Sequence, residues 1–148
     1  MTILFDIDYT LFDTETFKKS NLTSYNLYPQ TKKVLEQLKS SFRLGILSEG
    51  ETDFQMKKLQ ETGILGLFDR AHIFIITNKI ESLPGIMEHL KEEEVVFVED
   101  KIRMLEKAKS LDPQLKTVWF KNGPFVEESG FTPDHVIESL ADLLRVLE

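Results

Sequence analysis

Short apolar runs alternate with longer amphipathic segments along this 148-residue chain. The runs are almost uninterrupted and rich in β-branched and aromatic residues, which is typical of strands buried on both faces of a parallel sheet. The amphipathic segments repeat apolar positions every three or four residues, which is typical of helices that cover a sheet. The pattern therefore predicts a three-layer α/β fold, with helices on both faces of a central parallel sheet.

The pattern also gives approximate bounds for each element. Strands are expected over residues 2–7, 42–47, 72–76, 95–98, 117–120 and 135–137. Helices are expected over 30–40, 82–92, 101–110 and 138–148, with another after Ser48 that Phe54, Leu59 and Ile64 anchor in the core. The least regular stretch, 12–28, is polar and is interpreted as a flap or loop insert. No linker or repeat interrupts the pattern, so residues 1–148 are expected to form a single domain.

The composition narrows the classes of function. The chain has 18 Lys and Arg residues against 25 Asp and Glu residues, and its net charge of −7 opposes non-specific binding to nucleic acids. It has no cysteine, which excludes disulfides and thiolate nucleophiles. No apolar run approaches the roughly 20 residues of a membrane span, and the N-terminus does not resemble a secretion signal. We therefore expect a cytoplasmic protein without a membrane partner.

Polar side chains follow four of the predicted strands. Asp6 and Asp8 come after the first strand, Ser48 after the second, Lys79 soon after the third and Asp100 after the fourth. Ligands of open parallel sheets bind beyond the carboxyl ends of the strands, so these residues are expected to meet in one site. Neighbouring carboxylates repel each other unless a cation lies between them, and Mg²⁺ prefers carboxylate and phosphate oxygens. Asp6 and Asp100 are thus candidate Mg²⁺ ligands, and Ser48 and Lys79 are candidates for holding phosphate oxygens.

This set of residues suits phosphoryl transfer. Catalysis of that reaction is mostly positioning and neutralisation of charge on the phosphoryl oxygens. One carboxylate would attack phosphorus to form an aspartyl phosphate, while the other would protonate the leaving oxygen and then activate water. The two carboxylates after the first strand would therefore have different roles.

Four segments, in this order along the chain, resemble the motifs of the haloacid dehalogenase-like (HAD) superfamily of Mg²⁺-dependent phosphohydrolases. They are ILFDIDYTLFD, LGILSEG, TNKIES and VVFVEDKIRMLEKA. Residues 118–144 are also similar to the family's last strands and helix. The resemblance implies a Rossmann-like HAD fold and a Mg²⁺-dependent phosphomonoesterase that acts through an aspartyl phosphate.

The resemblance also implies roles for the acidic motif residues. Asp6 would be the nucleophile and a Mg²⁺ ligand. Asp8 would be the general acid and base, and its backbone carbonyl would also bind the metal. Asp100 would bind Mg²⁺ directly or through water.

The remaining motif residues would handle the phosphoryl group. By resemblance, Thr10 would brace the loop at the substrate site, Ser48 would hydrogen-bond the phosphoryl group, and Lys79 would neutralise it and orient the nucleophile. Taken singly, these residues have structural alternatives. Ser48 with Glu51 fits a capping box, and Asp100 fits a helix N-cap. Lys79 could be a solvated surface lysine, because most lysines are exposed.

Three positions depart from the family pattern. Met104 stands where many relatives have a further acid or Asn, Glu99 stands where Gly or Asp is commoner, and Glu49 stands where many relatives have Asn. The Met104 and Glu49 departures leave open a non-catalytic pseudo-phosphatase that binds phosphorylated ligands. A phospho-accepting module of receiver type is another alternative, although the phospho-acceptor Asp of such modules ends a later central strand, and Ser48 rather than an Asp ends the second strand here. A 2-haloacid dehalogenase, which uses an Asp nucleophile without metal, is a further alternative, although Asp8 and the acidic pair argue against it.

Family members often carry a cap domain inserted after the first or the second motif. Both intervals are short here, so the chain is expected to be capless. The resemblance then implies a phosphorylated substrate that is bulky or macromolecular, or a neighbouring subunit that serves as a lid. Both a monomer and a homo-oligomer are compatible with this expectation.

Overall fold

The computed structural model describes residues 1–124 and 129–147, and its centre is a parallel sheet. The strands are β1 (Thr2–Phe5), β2 (Arg43–Glu49), β3 (Ile73–Ile76), β4 (Val95–Glu99), β5 (Lys116–Phe120) and β6 (His135–Ile137). They lie in the order β3-β2-β1-β4-β5-β6, and every neighbouring pair is parallel. The predicted α/β fold is confirmed, and every strand begins and ends within two residues of its expected bounds.

Helices cover both faces of the sheet. They are α1 (Thr14–Lys19), α2 (Thr31–Lys39), α3 (Thr52–Glu61), α4 (Lys79–His89), α5 (Ile102–Leu111) and α6 (Leu143–Val146). Apolar side chains of α4 and α5 pack on one face, and those of α1, α2, α3 and α6 pack on the other. Residues 1–124 contain both expected insertion points and include no cap domain. None of the helices in the described ranges is long and apolar enough to cross a membrane.

Side chains of β1 point alternately to the two faces of the sheet, so this strand contributes to the cores on both sides. Ile3 and Phe5 belong to the core under α2, whereas Leu4 points into the core under α4 and α5. All three are fully buried, as is β4 on both of its faces. Burial of a side chain of this size contributes about 1.5–3 kcal/mol to the free energy of unfolding, so β1 and β4 stabilise the fold strongly.

The order of the strands decides where a ligand can bind. After β1 the chain runs outward through β2 and β3, and then returns to place β4 on the other side of β1. Phe5 pairs with Ile46 of β2 and with Val98 of β4, so the residues that follow these three positions meet at one edge. This reversal of strand order opens a crevice at the carboxyl ends of β1 and β4.

Helix α4 begins three residues before the position expected from the sequence. The Asn78 side chain accepts a hydrogen bond from the backbone N–H of Glu81 at 3.1 Å, and the Glu49 carboxylate accepts one from the backbone N–H of Lys79 at 2.9 Å. These two caps satisfy N–H groups that a helix otherwise leaves without a partner, and they allow it to start at Lys79. The earlier start places Lys79 in the first turn, next to the crevice.

The expected helix over residues 138–148 is shorter in the structure. A 3₁₀ turn (Leu140–Asp142) precedes α6, and Ser139 with Asp142 forms a capping box at its start. The tighter turn uses i to i+3 hydrogen bonds, so fewer residues remain for the α-helix. The last residue of the expected helix, Glu148, lies outside the described residues, as does the segment 125–128 within the HAD-like tail.

The polar stretch 12–28, expected to be a flap or loop, contains α1. Asp13 caps this helix by accepting a hydrogen bond from the backbone N–H of Thr16, and Phe17 is buried in the core. The rings of Phe12 and Tyr25 contact the ring of Phe17 at centroid distances of 5.1 and 4.9 Å. Aromatic packing of this kind holds the segment against the sheet, although its polar composition predicted an irregular loop.

Helix α3 follows β2 as expected, with one difference in its buried face. Leu59 and the following Ile64 are buried, but Phe54 is 39% exposed and does not anchor the helix in the core. Gln55 and Lys58 occupy the buried face instead. Their partners lie in the crevice, and this is why two polar residues replace the expected apolar anchor.

Candidate active site

Three carboxyl groups from two adjacent strands form a buried cluster at the crevice. Asp6 follows β1, Glu99 is the last residue of β4, and Asp100 comes directly after it. One carboxylate oxygen of each lies within 4.8 Å of the others, and all three residues are buried. The parallel register of β1 and β4 brings Asp6 and Asp100 together, as the sequence predicts, and adds Glu99 to them.

The cluster carries more negative charge than its surroundings accommodate. Burial, the neighbouring Glu99 and Asp6 raise the pKa of Asp100 to about 10. Burial and Glu99 also raise the pKa of Asp6 to about 7, against the opposing effect of Lys79. The Oδ2 atom of Asp100 is buried and has no hydrogen-bond partner. Oxygen ligands of this kind fit a hard divalent cation such as Mg²⁺, which would satisfy the oxygen and offset the repulsion.

Lys79 supplies the positive charge beside the cluster. Its ammonium donates to Asp6 Oδ1 at 3.1 Å and to Glu99 Oε2 at 2.8 Å, and the side chain is 4% exposed. Burial lowers the pKa of Lys79, but the two carboxylates outweigh burial and raise it above its usual value. The sequence-based alternative of a solvated lysine is therefore wrong. Lys79 and Asp6 therefore meet at the crevice, as the sequence predicts.

Glu99 and Glu49, two of the departures from the family pattern, both support Lys79. Burial opposes ionisation of Glu99, but Lys79 and the hydrogen bonds around the group hold the pKa of Glu99 below its usual range. Glu49 accepts from the backbone N–H of Lys79 and so caps the helix that carries the ammonium. Neither carboxylate is left as an isolated negative charge at the crevice.

Thr10 lies against the acidic cluster from the loop after β1. Its hydroxyl is 3.5 Å from Asp100 Oδ1, and the residue is fully buried. The loop after β5 closes the same side, because the Asn122 amide donates to the backbone carbonyl of Tyr9 at 3.1 Å. A Cβ atom at Gly123 would come within 2.5 Å of Asp100 Oδ2. The absence of a side chain at Gly123 therefore allows this loop to approach the cluster.

Ser48 lies in β2, one strand away from the cluster. It is fully buried, and its hydroxyl accepts a hydrogen bond from Gln55 Nε2 at 2.9 Å. It does not form the alternative capping box, because Glu51 is itself the N-cap of α3 and accepts from the backbone N–H groups of Asp53 and Phe54. Asp100 is not a side-chain cap of α5 either, since Lys101 occupies that position. The structural alternatives for both residues are wrong.

Asp8 is not part of the acidic cluster. Its Oδ1 atom accepts hydrogen bonds from Lys58 Nζ at 2.8 Å and from Thr14 Oγ1 at 3.0 Å, and its Oδ2 atom accepts one from Gln55 Nε2 at 3.1 Å. Tyr9 has a φ of 60°, and this left-handed turn separates Asp8 from the loop that follows. The two motif carboxylates therefore have different surroundings, one inside the cluster and one held by three donors.

Lys58 and Gln55 belong to none of the sequence motifs. Both are almost fully buried on α3, and Gln55 joins Asp8 to Ser48 through a single amide nitrogen. The sequence contains only a weak signal for them, the i to i+3 spacing that puts the two residues on one helix face. A polar pair at this spacing is more often a solvated surface, so only the packing of α3 over β1 and β2 reveals their contacts.

A cavity of about 390 Å³ opens over Asp6, Asp8 and Lys79, whereas Thr10, Ser48 and Asp100 are not among the residues that line it. Charged and apolar side chains line it together. The lining residues are Asp6, Asp8, Tyr9, Thr14, Phe17, Lys18, Leu22, Glu49, Phe54, Lys58, Lys79, Glu99, Lys101 and Met104. The volume is in the range of small-molecule sites, and Met104 contributes an apolar wall at the position where many relatives have an acid.

A long central part of the sequence matches a known family model. The model of the haloacid dehalogenase-like hydrolases matches residues 15–118, more than half of the chain. The matched range contains Ser48, Lys79 and Asp100 and begins after Asp6 and Asp8, whose placement comes from the geometry above. A comparison with curated protein sequences found no match.

Solved structures of low sequence identity share the fold over nearly the whole chain. YfnB of Bacillus subtilis, described as a HAD hydrolase bound to magnesium, has 14% identity and a TM-score of 0.79, with 99% of this chain and 97% of that chain covered. A predicted phosphoglycolate phosphatase of Haemophilus somnus has 17% identity and a TM-score of 0.79, with coverage of 99% and 97%. The L-2-haloacid dehalogenase of Xanthobacter autotrophicus has 16% identity and a TM-score of 0.71, with coverage of 99% and 97%.

Proposed function

Since the chain belongs to the haloacid dehalogenase-like hydrolase family, we propose that it is a Mg²⁺-dependent phosphomonoesterase that acts through an aspartyl phosphate. Asp6 is the nucleophile, Asp8 is the general acid and base, and Lys79 neutralises the phosphoryl group. The observation that carries the proposal is the buried cluster of Asp6, Glu99 and Asp100 beside the ammonium of Lys79. A hydrolase that handles an anionic phosphoryl group needs a cation site and a nucleophile at one place.

The reaction has two steps. In the first, a carboxylate oxygen of Asp6 attacks phosphorus, the bond from phosphorus to the ester oxygen breaks, and the leaving oxygen takes a proton from Asp8. In the second step, water attacks phosphorus and gives a proton to Asp8. The bond from phosphorus to the Asp6 oxygen breaks, and its electron pair returns to Asp6. The products are an alcohol and inorganic phosphate, and both aspartates return to their starting states.

The chain's residues fit the metal that this chemistry uses. Asp6 and Asp100 would hold Mg²⁺, with the backbone carbonyl of Asp8 as the further ligand implied by the family motif. The partnerless Oδ2 atom of Asp100 supports this assignment. When bound, Mg²⁺ would neutralise charge on the phosphoryl oxygens. Ser48 would donate its hydroxyl proton to the phosphoryl group, because its oxygen already accepts from Gln55.

The substrate is proposed to be a phosphate monoester that enters without a cap closing over it. Among the residues that line the cavity, charged groups such as Asp6 and Lys79 suit a phosphoryl group, and apolar side chains such as Phe54 and Met104 suit an organic group. A bulky or macromolecular ester, or a second subunit that covers the opening, remains our expectation for the part of the substrate outside the cavity.

The test is hydrolysis of p-nitrophenyl phosphate by wild type and Asp6→Asn, each with Mg²⁺ and with excess EDTA. Hydrolysis is expected only for wild type with Mg²⁺, because Asn cannot attack phosphorus and the acidic cluster needs its cation. Asp53→Asn, which replaces an exposed aspartate on α3, is the matched control and should keep full activity. Equal hydrolysis by Asp6→Asn and wild type would overturn the assignment of the nucleophile.

One observation favours a second candidate. The similar fold includes an L-2-haloacid dehalogenase of Xanthobacter autotrophicus with chloropropionic acid covalently bound. Halide release from 2-chloropropionate in the presence of EDTA, without phosphate release, would favour dehalogenation. Tight binding of a phosphate ester without turnover would instead favour a pseudo-phosphatase.

A further inference from the structure

Lys58 is a lysine in an unusual environment, held among three phenylalanine rings. Its ammonium lies 5.2 Å from the ring centroid of Phe12, 5.5 Å from that of Phe17 and 4.8 Å from that of Phe54. The side chain is 5% exposed. Lysine is rarely buried without a specific partner, although aromatic faces attract a cation and lower the cost of burial.

The partner of this ammonium is Asp8. Lys58 Nζ donates to Asp8 Oδ1 at 2.8 Å, while Gln55 donates to Asp8 Oδ2 at 3.1 Å. Both carboxylate oxygens are therefore held by neighbouring residues of α3. Gln55 also donates to Ser48, so α3 sets the position of Asp8 relative to the proposed phosphoryl site.

Stability alone does not account for this arrangement. Replacing a buried ion pair with apolar residues of similar size is often neutral or stabilising, and here three aromatic rings already surround the position. A charge in such a place therefore indicates a role through the carboxylate that it contacts. Lys58 also lines the cavity, on the same side as Asp8.

We propose that Lys58 is a positioning residue that holds the Asp8 carboxyl group toward the leaving oxygen of the substrate. The inference rests on the proposed phosphatase function and adds a residue that no family motif supplies. Lys58 acts through Asp8, so its effect should appear only when the leaving group needs a proton. A group that merely stabilises the fold would affect all substrates alike.

The experiment compares two aryl phosphates of nearly equal size. The phenolate released from phenyl phosphate is strongly basic and needs a proton from Asp8, whereas p-nitrophenolate is weakly basic and leaves with little help. In Lys58→Met, kcat for phenyl phosphate should fall about 10²-fold, the lower end of the range for general acid catalysis, while kcat for p-nitrophenyl phosphate falls less than about tenfold. Asp8→Asn should show the same selectivity.

Two further variants complete the design. Lys57→Met, an exposed lysine on the same helix, is the matched control and should leave both rates unchanged. Lys58→Arg keeps a cationic donor and should restore kcat for phenyl phosphate to within about tenfold of wild type. If Lys58→Met shows no cooperative urea transition, Lys58→Gln replaces it, with the same selective loss expected.

The outcomes separate this inference from the proposed function. Wild type that hydrolyses neither ester overturns the phosphatase and the role of Lys58 with it. Wild type that hydrolyses both, combined with an equal loss of both rates or no loss in Lys58→Met, overturns only the role of Lys58. A selective loss for phenyl phosphate that Lys58→Arg reverses supports it.

Discussion

The stability of the Mg²⁺-free protein should fall as pH rises from 5 to 7, opposite to the usual behaviour of a paired aspartate. Burial and the neighbouring carboxylates raise the pKa of Asp100 to about 10, whereas the pKa of an aspartate in an unfolded chain is about 4. The folded state therefore holds a proton that the unfolded state has lost. The stabilisation is complete only below about pH 4, and it is lost as pH rises toward 10.

The magnitude follows from one retained proton. Each pH unit in this window lowers the free energy of unfolding by about 1.4 kcal/mol, or about 3 kcal/mol from pH 5 to pH 7. Glu99, with a lowered pKa, and Lys79, with a raised one, do not change protonation in this window and so do not offset the trend. Asp6, with a pKa raised to about 7, keeps most of a second proton up to about pH 6 and about half of it at pH 7, so it makes the fall steeper.

Bound Mg²⁺ should reverse this trend. The ion needs ionised carboxylates, so the stabilisation that it provides should grow as pH rises and the competing proton is lost. At pH 7 the Mg²⁺-loaded protein should therefore exceed the EDTA form in stability by a larger margin than at pH 5.

Urea unfolding at pH 5, 6 and 7, with EDTA or with Mg²⁺, measures these changes. Trp119 is the only tryptophan, and its indole N–H donates to the backbone carbonyl of Asp100 at 2.9 Å, so its fluorescence reports on both the fold and the site. Asp100→Asn should flatten the pH dependence in EDTA, and Asp53→Asn should not. A wild-type stability in EDTA that is constant or increases from pH 5 to 7 would show that the folded protein does not hold the extra proton on Asp100.

Two further changes test the supports of the site. Gly123→Ala places a Cβ atom 2.5 Å from Asp100 Oδ2, so we expect Mg²⁺ affinity, measured by calorimetry, to fall about 10–100-fold, while Gly66→Ala, with open space around it, leaves affinity unchanged. Glu49→Ala removes the cap on Lys79 and should lower the free energy of unfolding by about 1 kcal/mol in urea titrations; an unchanged midpoint would show that water replaces the cap.

The positions of the strands follow from local sequence. Uninterrupted apolar runs predict buried strands, and β6 has the expected bounds, because such runs leave few other ways to bury their side chains. The polar residues at the carboxyl ends of β1, β2 and β4 are equally visible in the sequence, and the topology of an open parallel sheet places them at one edge. The α/β fold, the pairing of Asp6 with Asp100 and the proximity of Lys79 could therefore be predicted.

Other features depend on contacts between distant segments. Lys58 reaches Asp8 across 50 residues of sequence, and Glu49 caps the backbone of Lys79 across 30. No pattern of nearby residues specifies these distances, because each depends on how a helix packs against the sheet.

Local sequence specifies which residues lie at the carboxyl ends of the strands, and so which types of side chain reach the crevice. The packing of helices against the sheet specifies which charged side chains lie next to each of those residues. Asp6 and Asp8 are two positions apart, yet one is buried among carboxylates beside Lys79 and the other is held by Lys58. The physical reason is that local sequence sets the side of a strand or helix on which a residue lies, whereas burial and charge depend on the elements packed against it.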